Sequence, residues 1–165
     1  MNIELHYQAI APKLTNYLVA NGLDYAAACD IVQETFLRIW KMRDEVVDEP
    51  EQVSGLAYTI ARNLRASKYR KDSRMTFQEE IRDEDDTREQ SGPAATPSDN
   101  KYLRRRIVEA LTKIPPLLRE AYTLFQISEK SIREIAQMTG VTENLVKVRI
   151  HRAKTQLREL LKDLK

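Results

Sequence analysis

The sequence predicts an all-α protein of two small helical domains joined by a flexible acidic linker, the second domain built on a helix-turn-helix. Three observations carry this expectation. Apolar residues recur at every third or fourth position in both halves of the chain. Only 4 of the 165 residues are glycine, too few for turn-dense β structure, and 32% are charged. The charge is also unevenly divided. Residues 1–82 hold 11 Lys and Arg against 12 Asp and Glu, a net of −1. Residues 83–100 hold 1 against 6, a net of −5, and residues 101–165 hold 15 against 7, a net of +8. A neutral domain, an acidic strip and a basic domain differ from a uniformly solvated surface.

The strip sets the domain boundaries. RDEDDTREQSGPAATPSDN contains Pro93, Pro97 and Gly92 and no large apolar side chain. Such a segment buries too little surface to offset its ordering entropy, so residues 83–100 are expected to be a linker between domains at 1–82 and 101–165. No run approaches the roughly 18 apolar residues of a membrane span, and the N-terminus lacks the basic-then-apolar pattern of a signal peptide. A cytoplasmic protein without membrane insertion is therefore expected. Cys29 has no second cysteine to pair with and is expected as a small buried residue. His6 and His151 lie far apart with no cysteine at ligand spacing, so no metal site is expected. No cofactor and no small-molecule substrate are expected either.

The elements follow in order. Ala28, Ile31, Val32, Thr35, Phe36, Ile39 and Trp40 mark the buried stripe of a first helix. Val53, Ala57, Ile60, Ala61 and Leu64 mark a second, with Asp44–Gln52 as the loop between them. Beyond the linker, Tyr102–Ile114 reads as a helix stopped by Pro115 and Pro116. Pro116 then suits the first turn of a helix reaching about Gln126.

The last segment is the most specific. Ser131 and Glu134 have capping-box spacing, and Ile132, Ile135 and Ala136 form a buried face. Gly140 permits the left-handed residue that ends this helix, and Thr142 can cap the next. Val146 and Ile150 anchor that next helix, and Leu157, Leu160, Leu161 and Leu164 continue its packing stripe. This is helix-turn-helix grammar with the second helix as reader. Its outward residues are then Asn144, Lys147, Val148, His151 and Arg152, with Glu143 at the start and Arg149 and Lys154 at the flanks. Amide, imidazole and guanidinium groups can address base edges, and the cations also neutralise phosphates.

Two further faces lie in the N-terminal half. Asp30, Gln33, Glu34, Leu37 and Lys41 share one exposed stripe, and an exposed leucine among acids suits a protein partner with basic residues. Tyr58, Arg62, Arg65 and Tyr69 align along the next helix, which also carries Lys68, Arg70, Lys71 and Arg74. Rings that stack on bases, alternating with cations that track phosphates, suit an unpaired strand.

Three stretches together resemble the extracytoplasmic-function (ECF) sigma factors of the sigma-70 family, over roughly Tyr7 to Leu161. DIVQETFLRIW resembles the helix that binds the clamp of RNA polymerase. YTIARNLRASKYRK resembles the helix that melts and reads the −10 element. ALTKIPPLLREAY with EIAQMTGVTENLVKVRIHRAKTQLREL resembles the −35-reading domain. The resemblance implies that Asp30, Gln33, Glu34 and Leu37 face the polymerase clamp. It places Asn63 at a pocket for a flipped −10 base, completed by the loop Asp44–Gln52, with Tyr58, Arg62, Arg65, Tyr69, Arg70 and Lys71 along the −10 strand. It assigns −35 contacts to Lys147, Val148, His151 and Arg152, and it threads the acidic linker toward the RNA channel. Core RNA polymerase and promoter DNA are the implied partners, and an anti-sigma factor is a candidate third. The chain departs from the family where Leu56 and Ala57 replace Trp-Leu, at Ser67 and Lys68, at Asn144 and Leu145 in place of Gly-Thr, and at Val148 in place of Ser. Val148 cannot hydrogen-bond a base edge but can touch a thymine methyl.

The alternative reading is a conventional helix-turn-helix regulator working without core polymerase. It needs a ligand pocket or a rigid dimer seam, and the sequence offers neither. A nuclease would need a carboxylate or histidine cluster beside the basic helix. Asp72 is the one acid between Val53 and Met75, so no catalysis is expected.

Overall fold

A computed structural model describes residues 1–79 and 98–164, with side chains described for 1–70 and 101–163. All its regular structure is helical: α1 (Ile3–Ala20), α2 (Tyr25–Lys41), α3 (Pro50–Glu79), α4 (Ser98–Thr112), α5 (Pro116–Gln126), α6 (Ile132–Thr139) and α7 (Glu143–Leu160). Short 3₁₀ turns follow α2 at Arg43–Glu45 and α7 at Lys162–Leu164. Two compact units emerge. The first comprises the described residues of Met1–Thr15 and Asp24–Gly92, and the second those of Asn16–Leu23 and Pro93–Lys165. Most of the acidic strip lies outside the described residues, but Ser98–Asn100 already belong to α4. No described helix is long and apolar enough to cross a membrane.

In the first unit, α2 packs against α3. Asp24 caps α2 by accepting a hydrogen bond from the Ala27 amide at 2.7 Å. Ala28, Ile31, Val32, Thr35, Phe36 and Ile39 are buried as the period requires. Trp40, expected in the same stripe, is instead 39% exposed. Arg43 follows the end of the helix, stacks its guanidinium 3.9 Å from the Trp40 ring centre and donates from Nη1 to the Trp40 carbonyl at 2.8 Å. The cation covers the indole in place of the core. Cys29 also differs from expectation: it is half-buried and hydrogen-bonded to Tyr25, which pushes that phenol up. Helix α3 begins at Pro50, not after Gln52, because proline favours the first helical turn.

Helix α1 has no counterpart among the sequence-predicted elements. It contains Pro12, which removes one internal hydrogen bond, and its apolar spacing is correspondingly weak. Ile10, Ala11 and Leu14 are nevertheless buried, and Tyr7 meets Phe36 edge-on with ring centres 5.1 Å apart.

In the second unit, α7 packs against α5, α6 and α4. Its core gathers Ala110, Leu111, Ile114, Ala153 and Leu157 with Ala20, and Leu160 and Leu161 close over it as expected. Tyr17 donates to Glu120 Oε2 at 2.6 Å, and Asn21 Nδ2 donates to Thr123 Oγ1 at 2.8 Å. All four of these groups are buried, so their mutual hydrogen bonds remove a desolvation cost of several kcal/mol in order of magnitude. At the surface, Arg106 holds Asp163 through two hydrogen bonds, of 3.0 and 3.2 Å.

Candidate functional site

The second unit builds its outward face from the caps inward. The Glu134 amide donates to Ser131 Oγ at 3.0 Å, and the Ser131 amide donates to Glu134 Oε1 at 2.8 Å, a complete capping box. Gly140 closes α6 at φ 73°, in the left-handed region, and its amide returns to the Ala136 carbonyl. Thr142 then caps α7 by accepting from the Leu145 amide at 3.1 Å. Val146, Ile150, Ala153 and Leu157 are buried along one side of α7. Helical geometry therefore turns the opposite side outward. Asn144, Lys147, Val148, His151 and Arg152 are all exposed there, whereas Arg149 is half-buried. Leu145, noted in the sequence only as a departure from the family pattern, is exposed on the first turn beside Asn144. With Val148 it makes a short apolar strip at spacing three, suited to methyl groups rather than hydrogen-bonding edges.

The first unit carries two faces. On α2, Asp30, Gln33 and Leu37 are exposed and Glu34 is half-buried. Glu34 Oε2 accepts from Arg38 Nε at 2.9 Å, an i,i+4 pair that orients the carboxylate. A shallow hollow of about 370 Å³ opens beside this face, lined by Asp24, Asp30 and Glu34 with Ile31, Leu64 and Lys68. Its lining sets three carboxylates beside the apolar Ile31 and Leu64 and the cationic Lys68.

On α3 the expected aromatic-basic face is only partly present. Tyr69 is 72% exposed, and Asn63 and Arg70 are exposed. Arg62 and Arg65 are half-buried. Tyr58 is 2% exposed and is a core residue in this structure, so it offers no stacking surface. The spacing that aligned it with Tyr69 is correct, but Tyr58 lies on a covered turn of α3 whereas Tyr69 does not. The Lys71 side chain lies outside the described residues. The loop before α3 is short and tight. The Glu49 amide donates back to the Val47 carbonyl at 2.9 Å, and Val47 is 59% exposed at its tip.

The segments that carry these faces match known protein families. Residues 6–75 match the family described as Sigma-70 region 2, and residues 104–157 match Sigma-70, region 4. The ECF RNA polymerase sigma factor SigL of Mycobacterium tuberculosis is 30% identical over 96% of this chain and 88% of its own length. The chain belongs to the ECF sigma factors of the sigma-70 family. This ECF sigma factor is also similar to the RNA polymerase sigma factor CarQ of Myxococcus xanthus, 29% identical over 93% of this chain and 86% of that protein. Its fold matches that of the sigma factor RpoE from Bartonella quintana, solved in complex with the anti-sigma factor NepR, with a TM-score of 0.78, 24% identity and 96% of each chain covered. As a sigma factor it binds RNA polymerase and promoter DNA and directs promoter-specific transcription initiation, a non-enzymatic role.

Proposed function

We propose that this sigma factor reads its promoters at two points with the residues described above and meets core polymerase through α2. The region within 101–165 takes the −35 duplex, with Asn144, Lys147, Val148, Arg149, His151 and Arg152 on the reading helix and Leu145 added from its exposure. The region within 1–82 takes the −10 strand, with Arg62, Asn63, Arg65, Tyr69, Arg70 and Lys71 along α3 and the loop before α3 completing a pocket for a flipped base. Tyr58 supports α3 from within. Asp30, Gln33, Glu34 and Leu37 meet the polymerase clamp, and the hollow beside them receives a basic side chain. The linker bridges the two readers. A protein that acts on RNA polymerase is expected in the cytoplasm, and an anti-sigma factor is a candidate regulator.

The observation that carries this reading is the two-sidedness of α7. A stripe of four buried residues fixes the helix, and five of the six proposed base-facing or phosphate-facing side chains stand exposed opposite it. The test is run-off transcription with reconstituted holoenzyme. Arg152→Ala is expected to weaken binding to a promoter with an intact −35 element by about 1–3 kcal/mol. A promoter with a scrambled −35 element should lose much less. Equal losses on both promoters would reduce Arg152 to a general electrostatic contact.

A further inference from the structure

His6 stands outside every face described so far, yet it touches one of them. Its Nε2 lies 2.7 Å from Asp48 Oδ1, across 42 residues of sequence. The imidazole side chain is 13% exposed, and the carboxylate side chain is 52% exposed. The ring is therefore set into the first unit while its partner sits on the loop between α2 and α3.

That loop has two kinds of support. At its start, Arg43 is fixed on Trp40, and the Glu45 amide donates to the Met42 carbonyl at 2.9 Å. At its end, the Glu49 carbonyl accepts from the Val53 amide at 2.9 Å and joins the loop to α3. These are local ties to the loop's own flanking helices. The contact with His6 is different, because it ties the middle of the loop to α1. It also occupies one carboxylate of an acid-rich stretch, which runs Asp44, Glu45, Asp48, Glu49 and Glu51. The Met1 ammonium lies 3.9 Å from the other carboxylate oxygen, a longer contact at the limit of an ion pair. Without His6, Asp48 would keep only that contact and could swing outward to repel a phosphate or compete for a base amine.

We propose that His6 is a positioning residue for −10 recognition: by holding Asp48 it fixes the loop that shapes the pocket for the flipped base. This rests on the proposed role of that loop. A loop already held in its bound shape does not lose further conformational freedom when a base enters. A loop released from α1 must order on binding, and ordering penalises the right base and the wrong base alike. Discrimination falls for a separate reason, because the polar groups that distinguish bases are no longer held in register. The tie is a hydrogen bond to a charged acceptor, of the stronger class.

The experiment uses holoenzyme reconstituted from core polymerase and the full chain, with a promoter library randomised across the −10 element. His6→Ala is expected to lower discrimination among −10 bases by about tenfold, while −35 dependence and core affinity stay as they were. His6→Gln keeps a hydrogen-bond donor and should restore most of the discrimination. The double variant His6→Ala with Asp48→Ala should be no worse than the more severe single variant, since both remove the same contact. Unchanged −10 discrimination in His6→Ala would overturn the inference. So would a loss shared equally with core affinity and −35 dependence, which would mark a general folding defect. Asn63→Ala separates the inference from the reading beneath it. If Asn63→Ala lowers −10 discrimination and His6→Ala does not, only the role of His6 fails. If neither does, the −10 pocket itself is wrong and the role of His6 falls with it.

Discussion

Helix α7 presents its exposed cations from 18 residues capped by Thr142 at the start and fixed by four buried side chains on the reverse. Helix α3 runs for 30 residues with its early turns buried at Val53, Ala57, Tyr58 and Ala61, and the exposed Tyr69 and Arg70 come after that anchor. The first arrangement suits a rigid duplex, whose major groove has a fixed width and accepts a helix in one pose. The second suits a strand that has left the duplex and must be followed, base by base, along a rod and a neighbouring loop. One helix is a fixed plug. The other is a supported rail, and its rings divide into those that hold the rail and those free to meet a base.

That division gives the sharpest tests. Tyr58→Ala should destabilise the first unit by about 3–5 kcal/mol, since it empties a buried aromatic site. A thermal or urea melt would show it, and an unchanged midpoint would return Tyr58 to the surface. Tyr69→Ala should leave the melt unchanged but weaken binding to single-stranded −10 DNA by roughly 1–3 kcal/mol. If both tyrosines behaved alike in both assays, the contrast between anchor and rail would collapse. On α6, which leads into the plug, Ser131→Ala should cost about 1 kcal/mol through loss of the capping box, read in the melt of the second unit. The smallest effect is at Asp163. The hydrogen bonds from Arg106 hold its carboxyl below the usual range. A carboxyl lowered in the folded state contributes stability above its unfolded value of about 3.9, and the contribution disappears as pH falls through the folded value. Wild type should therefore melt slightly above Asp163→Asn at pH 6, with the two converging in stronger acid. A gap that persists in acid would assign the difference to packing.

The same contrast explains what could be read from the residues. The plug is written locally. Ser131 and Glu134 lie three residues apart, Gly140 and Thr142 two apart, and Val146 and Ile150 four apart, so neighbouring residues suffice to place the caps and the buried side. The rail is not local. Helical spacing aligned Tyr58 with Tyr69 correctly, but periodicity says which residues share a face, not where along a long helix a neighbour stops covering it. Trp40 shows the same limit at a helix end, where its stripe runs out of core and Arg43 takes over. Helix α1 was hidden by Pro12, a residue that argues against a helix interior on local grounds alone. The tie between His6 and Asp48 spans 42 residues and leaves no repeating pattern.

Gly140 has a consequence for how such a reader can change. A Cβ built there would meet nothing within 4 Å, so the residue is required by its φ of 73° and not by crowding. The two helices it joins do not lean on the missing side chain. Asparagine, which tolerates the left-handed region, could take the position at modest backbone cost and without any repacking of neighbours, whereas valine could not. The turn and the proposed reading surface are therefore separable parts: on the proposed reading, substitutions at Asn144, Leu145 and Val148 would retarget the helix while the hinge that aims it is left alone, and the hinge residue could vary without disturbing the target.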